Sequence, residues 1–148
     1  MSEITADGLR ADIAAAFGEY MSELVRSGPV WEAQPASGKE GEAAWSARQV
    51  AEHIGQATGF FGAAVAKATG TTGPGMSSPK FADVTEAATA TPGAHLGLAA
   101  VADHVQDSHL GAEIKNFGPL GDTNVGAVLG VVAYHYRDHA SQLRTLRG

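Results

Sequence analysis

Three histidines are placed so that they could act together. His135 and His139 are four residues apart in a segment with a helical apolar pattern, so both rings project from one helix face. His53 lies on the apolar face of another predicted helix. Three imidazoles that meet in a bundle could hold a divalent metal and leave its fourth position open, as in catalytic zinc sites. Buried histidines that hydrogen-bond to carbonyl or carboxylate oxygens would give the same pattern, so both interpretations stay open.

Several other chemistries are excluded by the residues that the chain lacks. The sequence has no cysteine, which excludes disulfides, thiolate metal sites and a cysteine nucleophile. The glycine-rich segment 70–75 lacks the Lys-Ser/Thr that follows a phosphate-binding loop. No serine stands in a G-x-S-x-G turn. The histidines are therefore the main candidates for chemistry.

The charge balance also narrows the function. The chain has 10 Lys and Arg against 16 Asp and Glu, a net charge of −6, and no basic run. This balance argues against a nucleic-acid partner, whose binding needs a basic patch. No apolar stretch approaches the roughly 18 residues of a membrane span. We therefore expect a cytoplasmic protein without a membrane contact.

Four amphipathic helices account for the apolar spacing, and no strand pattern competes with them. Ser46 and Gln49 form a capping box at the start of the second helix, and Thr5 or Asp7 could cap the first. The predicted helices cover residues 7–26, 47–68, 94–115 and 123–147.

The connection between the second and third predicted helices is unusually long. Residues 69–93 are rich in Gly, Pro, Ser and Thr, which is too long a stretch for a tight helical hairpin. It predicts a crossover connection, with a short helical turn near 79–88. The whole chain, 1–148, is therefore predicted to be a single all-α domain, a four-helix bundle with a long crossover between helices 2 and 3.

A polar run in the third predicted helix offers further candidates. Asp103 and Asp107 are four residues apart, and either could orient a ligating histidine or act as a general base. A solvated helix face is the favoured interpretation. His104 and His109 are candidates for additional metal ligands, although ordinary surface positions are favoured for them too.

Three more residues have weaker signals. His95 follows a Pro-Gly pair at the expected start of the third helix, which predicts an exposed ring. Tyr136 directly follows His135 and should therefore point away from it and pack in the core. Gln142 lies one turn after His139 on the same face, where it would contact either the substrate or the core.

Two segments resemble a known family. Residues 45–54 read WSARQVAEHI, and residues 134–143 read YHYRDHASQL. Their order and separation resemble the DinB/YfiT-like superfamily, which includes the N-terminal domains of mycothiol-dependent maleylpyruvate isomerases. The resemblance implies a four-helix bundle with an atypical order of helix directions. It also implies that His53, His135 and His139 are the metal ligands.

The resemblance further implies a possible thiol S-transferase. A divalent metal, zinc or nickel by ligand type, would activate a low-molecular-weight thiol for attack on an electrophilic small molecule. The high alanine and glycine content is typical of a high-GC genome, which makes mycothiol the expected cosubstrate. A non-catalytic binding or resistance module, a hydrolase or lyase that uses metal-activated water, and a metal-free helical domain stay open as alternatives. A homodimer is also open.

Overall fold

Four long helices dominate the computed structural model, which describes residues 3–35 and 39–148. The remaining residues of the predicted domain, 1–2 and 36–38, lie outside this description. Four short 3-10 turns and a pair of two-residue antiparallel strands complete the described chain. The helices are α1 (Ala6–Leu24), α2 (Ala47–Thr69), α3 (Val84–Asp103) and α4 (Val125–Arg147), and the strands are β1 (Glu113–Ile114) and β2 (Thr123–Asn124). The prediction of an all-α four-helix bundle is confirmed.

The first and last helices lie side by side and run in the same direction. Arg137 pairs with Asp12 at 2.8 Å, and further along both helices Arg147 pairs with Glu23 at 2.6 Å. Helix α2 runs the opposite way against α4, because His53 lies near the later His139 whereas residue 61 lies near residue 135. The histidines therefore lie between α2 and α4.

Helix α3 runs antiparallel to α1 and hence parallel to α2. The guanidinium of Arg10, near the start of α1, donates to the carbonyl of Ala102 at 2.8 Å, near the end of α3. Gly28, just after α1, lies beside Val84 at the start of α3. Two consecutive parallel helices need a long return connection, which explains the crossover that the sequence predicts.

Glycines on α2 allow the crossover segment to pack directly against the helix. Gly55, Gly59 and Gly62 recur at spacings of four and three on one face of α2. A Cβ at Gly62 would lie 2.8 Å from Cγ of Pro74, and one at Gly55 would lie 2.7 Å from Cγ of Pro79. Residues 70–83 therefore return along α2 at a distance that larger residues would not permit.

The predicted start of the third helix was wrong. Helix α3 begins at Val84 rather than 94, with Asp83 as its cap: the Asp83 carboxylate accepts from the Glu86 amide at 2.8 Å. The turn predicted near 79–88 is thus the first turn of α3. The helix also continues through Pro92, which was predicted to lie in the connection. The crossover is accordingly shorter than predicted.

The predicted end of the third helix was also wrong. Helix α3 stops at Asp103, where Arg10 donates to the carbonyls of Ala102 and Val105. These bonds satisfy carbonyl groups that a longer helix would have paired internally. Glu113 and Ile114, predicted as helical, form strand β1 instead. Strands of two residues are too short to show an alternating pattern.

The other helix boundaries agree closely with the sequence. Thr5 caps α1, and Ser46 and Gln49 form the predicted capping box at α2. Asn124 caps α4, which begins at Val125, two residues after the predicted start. Within the described residues, none of the helices has the length and hydropathy needed to cross a membrane.

Candidate metal centre

The three histidines predicted as ligands come together between α2 and α4. One ligand atom from each of His53, His135 and His139 lies within 4.8 Å of the others. The Nε2 atoms of His53 and His135 are 2.9 Å apart, close enough to share a hydrogen bond. Ligand atoms around a tetrahedral zinc, with bonds of 2.0–2.1 Å, lie about 3.3 Å apart. The cluster therefore has the size that a divalent metal needs, and metal binding itself stays a prediction.

Aromatic rings line the cluster on two sides. The ring of Trp45 lies 4.9 Å from that of His53 and is nearly parallel to that of His139, 6.3 Å away. Phe61 presents its edge to His135 at 5.3 Å. Trp45 directly precedes the capping box of α2, so the start of this helix also fixes the position of the Trp45 ring beside the histidines. His139 is buried, whereas His53 and His135 are partly buried.

Burial keeps two of the imidazoles neutral. Desolvation, followed by the nearby His139 and His53, lowers the pKa of His135 to about 3. Desolvation and His139 also lower the pKa of His53, and Glu42 opposes this effect. A metal-binding imidazole must be unprotonated. These two rings are therefore ready to bind a metal at neutral pH.

Gln142 orients one of the histidines. Its Oε1 lies 2.8 Å from Nδ1 of His139. In the tautomer of His139 that carries its proton on Nδ1, this proton is donated to Gln142 and the lone pair of Nε2 is free for a metal. The amide nitrogen of Gln142 donates to the backbone carbonyl of Glu42 at 2.6 Å. Both ends of the side chain are thus engaged. The prediction that Gln142 contacts a substrate stays a prediction.

Glu42 is a neighbour of the cluster that the sequence analysis missed. Its Oε1 lies 3.5 Å from Nε2 of His53 and 3.8 Å from Nε2 of His139. The residue belongs to the 3-10 turn Gly41–Ala44, in a connection with no periodic pattern. The weak signal available to sequence reasoning was a carboxylate shortly before the Trp-Ser start of α2.

Two clefts reach the cluster from different sides. One of about 300 Å³ is lined by His53 with polar residues that include Arg48, Glu52 and Lys80. The other, of about 320 Å³, is lined by His139, Glu42 and Gln142. A larger cavity of about 550 Å³ lies elsewhere, lined by residues that include Phe60, Ile114 and Phe117, and none of the three histidines lines it.

The polar run 103–109 does not join the cluster. Because α3 ends at Asp103, Asp103 and Asp107 do not share a helix face, contrary to expectation. Asp107 accepts from the backbone N–H of Ala6 at 2.7 Å and so holds the start of α1. His109 accepts from the Gln106 amide through Nδ1. Asp103 and His104 are exposed, as the favoured interpretation predicted for both.

The exposure predicted for His95 was wrong. The early start of α3 places His95 within the helix, where it stacks on Phe17 with ring centroids 3.8 Å apart. Its Nδ1 lies 2.9 Å from the hydroxyl of Tyr136, and desolvation lowers the pKa of His95. Tyr136 is buried in the core, as predicted, and burial raises its pKa to about 12.

The family comparison agrees with this architecture. A family model described as the DinB superfamily matches residues 14–143 of the chain. The matched range contains all three histidines of the cluster. Comparisons with curated proteins and with solved structures returned no match.

Proposed function

The chain belongs to the DinB superfamily, and from this premise we propose that it is a metal-dependent transferase. In this proposal it activates a low-molecular-weight thiol for attack on an electrophilic small molecule. The observation that carries it is the cluster of His53, His135 and His139, whose ligand atoms lie within 4.8 Å of one another. Imidazole donors suit zinc and nickel, which are therefore the expected metals.

The residues around the cluster have distinct tasks in this proposal. Neutral His53 and His135 offer lone pairs, and Gln142 holds His139 in the tautomer that offers its own. Trp45 and Phe61 pack against the rings of His53 and His135 and help to fix their positions. When bound, a divalent metal supplies a Lewis acid that lowers the pKa of a thiol and yields a thiolate at neutral pH.

The two clefts give two reactants separate approaches. The cleft beside His53 is lined by Arg48, which is already paired with Glu52 and Glu32, and by the exposed Lys80, which is the cation that could meet an anionic or carboxylate-bearing molecule. The cleft beside His139 is lined by Glu42 and Gln142. A thiol cosubstrate on one side and an electrophile on the other would meet at the histidines. The absence of cysteine in the chain agrees with a thiol supplied from outside.

Metal content is the first test. Elemental mass spectrometry of tag-free protein should find about one equivalent of zinc or nickel per chain, lost in His135→Ala because the variant lacks one of the three imidazole ligands. His104→Ala is the matched control, since His104 is exposed and lies outside the cluster; it should keep its metal. Wild-type protein that stays metal-free after zinc and nickel are supplied would contradict the proposal.

A second experiment addresses the reaction. Thiols that include mycothiol are combined with small electrophiles, and consumption of free thiol is followed for the wild type and His135→Ala. We expect turnover that depends on the thiol and is lost in the variant. Turnover without thiol would indicate a hydrolase or lyase instead. Ligand binding without turnover, unchanged in His135→Ala, would indicate a binding module.

A further inference from the structure

We infer that Glu42 is a fourth protein ligand of the metal centre. In this arrangement three imidazoles and one carboxylate surround the metal until a substrate displaces the carboxylate. The inference rests on the proposed function, because it requires that the histidine cluster binds a metal. It extends the site to a residue outside both helices that carry the histidines.

The position of the Glu42 carboxylate is the first argument. Its Oε1 is 3.5 Å from Nε2 of His53 and 3.8 Å from Nε2 of His139. These distances are close to the roughly 3.3 Å that separates ligand atoms around tetrahedral zinc. The Glu42 side chain is 59% exposed, so burial does not force its carboxylate to face the histidines. Among the described residues, no lysine or arginine nitrogen lies within 4.0 Å of its carboxylate, whereas ring nitrogens of these two histidines do.

The second argument is that the backbone of Glu42 is anchored to the site. Its carbonyl accepts from Nε2 of Gln142 at 2.6 Å and from the amide of Trp45 at 3.1 Å. Gln142 is the same residue that orients His139, so one side chain connects a ligand on α4 to the turn that carries Glu42. Gly41 begins this turn with φ of 59°, a conformation that favours glycine.

Charge is the third argument. Imidazole ligands carry no charge when they bind a metal, so three of them leave the full double charge of a divalent metal in a partly buried site. A carboxylate ligand reduces that charge, which compensates for the loss of hydration. Glu42 is also the most exposed of the four groups, at 59% against 28% for His53 and 3% for His139. It is therefore the ligand that an incoming substrate could displace without disturbing the helices.

The test measures the metal centre and not turnover. Zinc affinity is measured by competition with a chromogenic chelator, and the visible spectrum of the cobalt(II)-loaded protein reports the ligand set. For Glu42→Gln we expect zinc affinity to fall by at least about 10- to 100-fold, because loss of a partner that only orients a ligand already costs that much. The cobalt spectrum should also change, because water or an amide oxygen replaces the carboxylate. Thermal unfolding of the metal-free variant checks that its fold is retained.

Glu40→Gln is the matched control, since Glu40 is an exposed carboxylate two residues earlier. It should leave affinity and spectrum unchanged. Unchanged zinc affinity in Glu42→Gln would overturn the inference. Weaker binding with an unchanged cobalt spectrum would also overturn it, because Glu42 would then act through its charge alone. Wild-type protein that binds neither metal would instead overturn the proposed function, and the inference with it.

Discussion

At the scale of single residues, two core tyrosines place their hydroxyl groups in very different surroundings. Tyr20 is fully buried, and within the described residues its hydroxyl has no hydrogen-bond partner. Tyr136 is also buried, but its hydroxyl lies 2.9 Å from Nδ1 of His95 and 3.4 Å from Oγ1 of Thr58. The two rings are neighbours, with centroids 5.8 Å apart. They provide a matched pair of substitutions in one region of the core.

We expect Tyr20→Phe and Tyr136→Phe to change stability in opposite directions. Removing the unpaired hydroxyl of Tyr20 should raise the free energy of unfolding by about 1 kcal/mol, because a buried group without a partner is costly. Removing the hydroxyl of Tyr136 should lower it by about 1–2 kcal/mol, because His95 and Thr58 lose a partner. Urea unfolding followed by circular dichroism measures both. A loss of stability in both variants would show that Tyr20 has a partner.

Some residues of the candidate site could be predicted from the sequence and others could not. His135 and His139 were identifiable because helical spacing places residues four apart on one face, and His53 because it interrupts an apolar stripe. Glu42 had no such pattern, since its position depends on the fold of a connection and on a bond from Gln142. Periodicity identifies candidate ligands on helices, whereas a candidate ligand on a turn is identified only by its contacts.

At the scale of elements, the glycines of α2 set how closely the crossover can approach. Gly62→Ala would place a Cβ 2.8 Å from Cγ and 3.0 Å from Cδ of Pro74. We expect this change to lower the free energy of unfolding by about 1–3 kcal/mol, the usual cost of overpacking. That cost exceeds the helix propensity that alanine gains over glycine, up to about 1 kcal/mol.

Gly18→Ala in α1 is the control for this prediction. Gly18 is an exposed helical residue, and a Cβ there would meet nothing within 4 Å. The substitution should therefore stabilise the protein by up to about 1 kcal/mol. Thermal unfolding of the two variants should show opposite shifts of Tm. A stabilised Gly62→Ala protein would contradict the close packing of the crossover.

Helices were predictable where a cap and an apolar stripe coincide. Thr5 and the Ser46–Gln49 box located the starts of α1 and α2 for this reason. The start of α3 was missed because a proline usually lies at the beginning or end of a helix, whereas α3 continues through Pro92. Its end was missed because Arg10, a residue distant in the sequence, satisfies the terminal carbonyls. Contacts of this kind have no local signature.

At the scale of the whole molecule, the ion pairs between α1 and α4 keep the histidines facing α2. Arg137 lies between His135 and His139 in the sequence, on the opposite face of α4, and pairs with Asp12 and Glu19 of α1. Since one face of α4 is bound to α1, the histidine face is directed at α2. The two chain-end helices thus set the orientation of the site as well as closing the bundle.

Glu23 forms the most buried of the ion pairs between α1 and α4, and it should make the free energy of unfolding depend on pH. It is 4% exposed and accepts from Arg147 at 2.6 Å and from Arg144 at 3.0 Å. The hydrogen bond from Arg147 is the main cause that lowers the pKa of Glu23 below 4.5, and burial opposes it. A carboxyl group whose folded pKa is lowered stabilises the protein above its unfolded pKa, and this contribution is lost as pH falls through the folded pKa.

We therefore expect Glu23→Gln to lower the free energy of unfolding by about 2 kcal/mol at pH 7, the value of a charge-assisted hydrogen bond. The difference in free energy of unfolding between the variant and the wild type should narrow as pH falls below 4.5, because Glu23 in the wild type then becomes protonated and, like glutamine, carries no charge. Glu19→Gln is the control: its carboxylate is 55% exposed, so its pair with Arg137 should contribute less than about 1 kcal/mol. Urea unfolding at several pH values measures all three proteins. A difference for Glu23→Gln that stays constant down to the lowest pH at which the wild type folds would show that packing, and not the ionised pair, links the ends of α1 and α4.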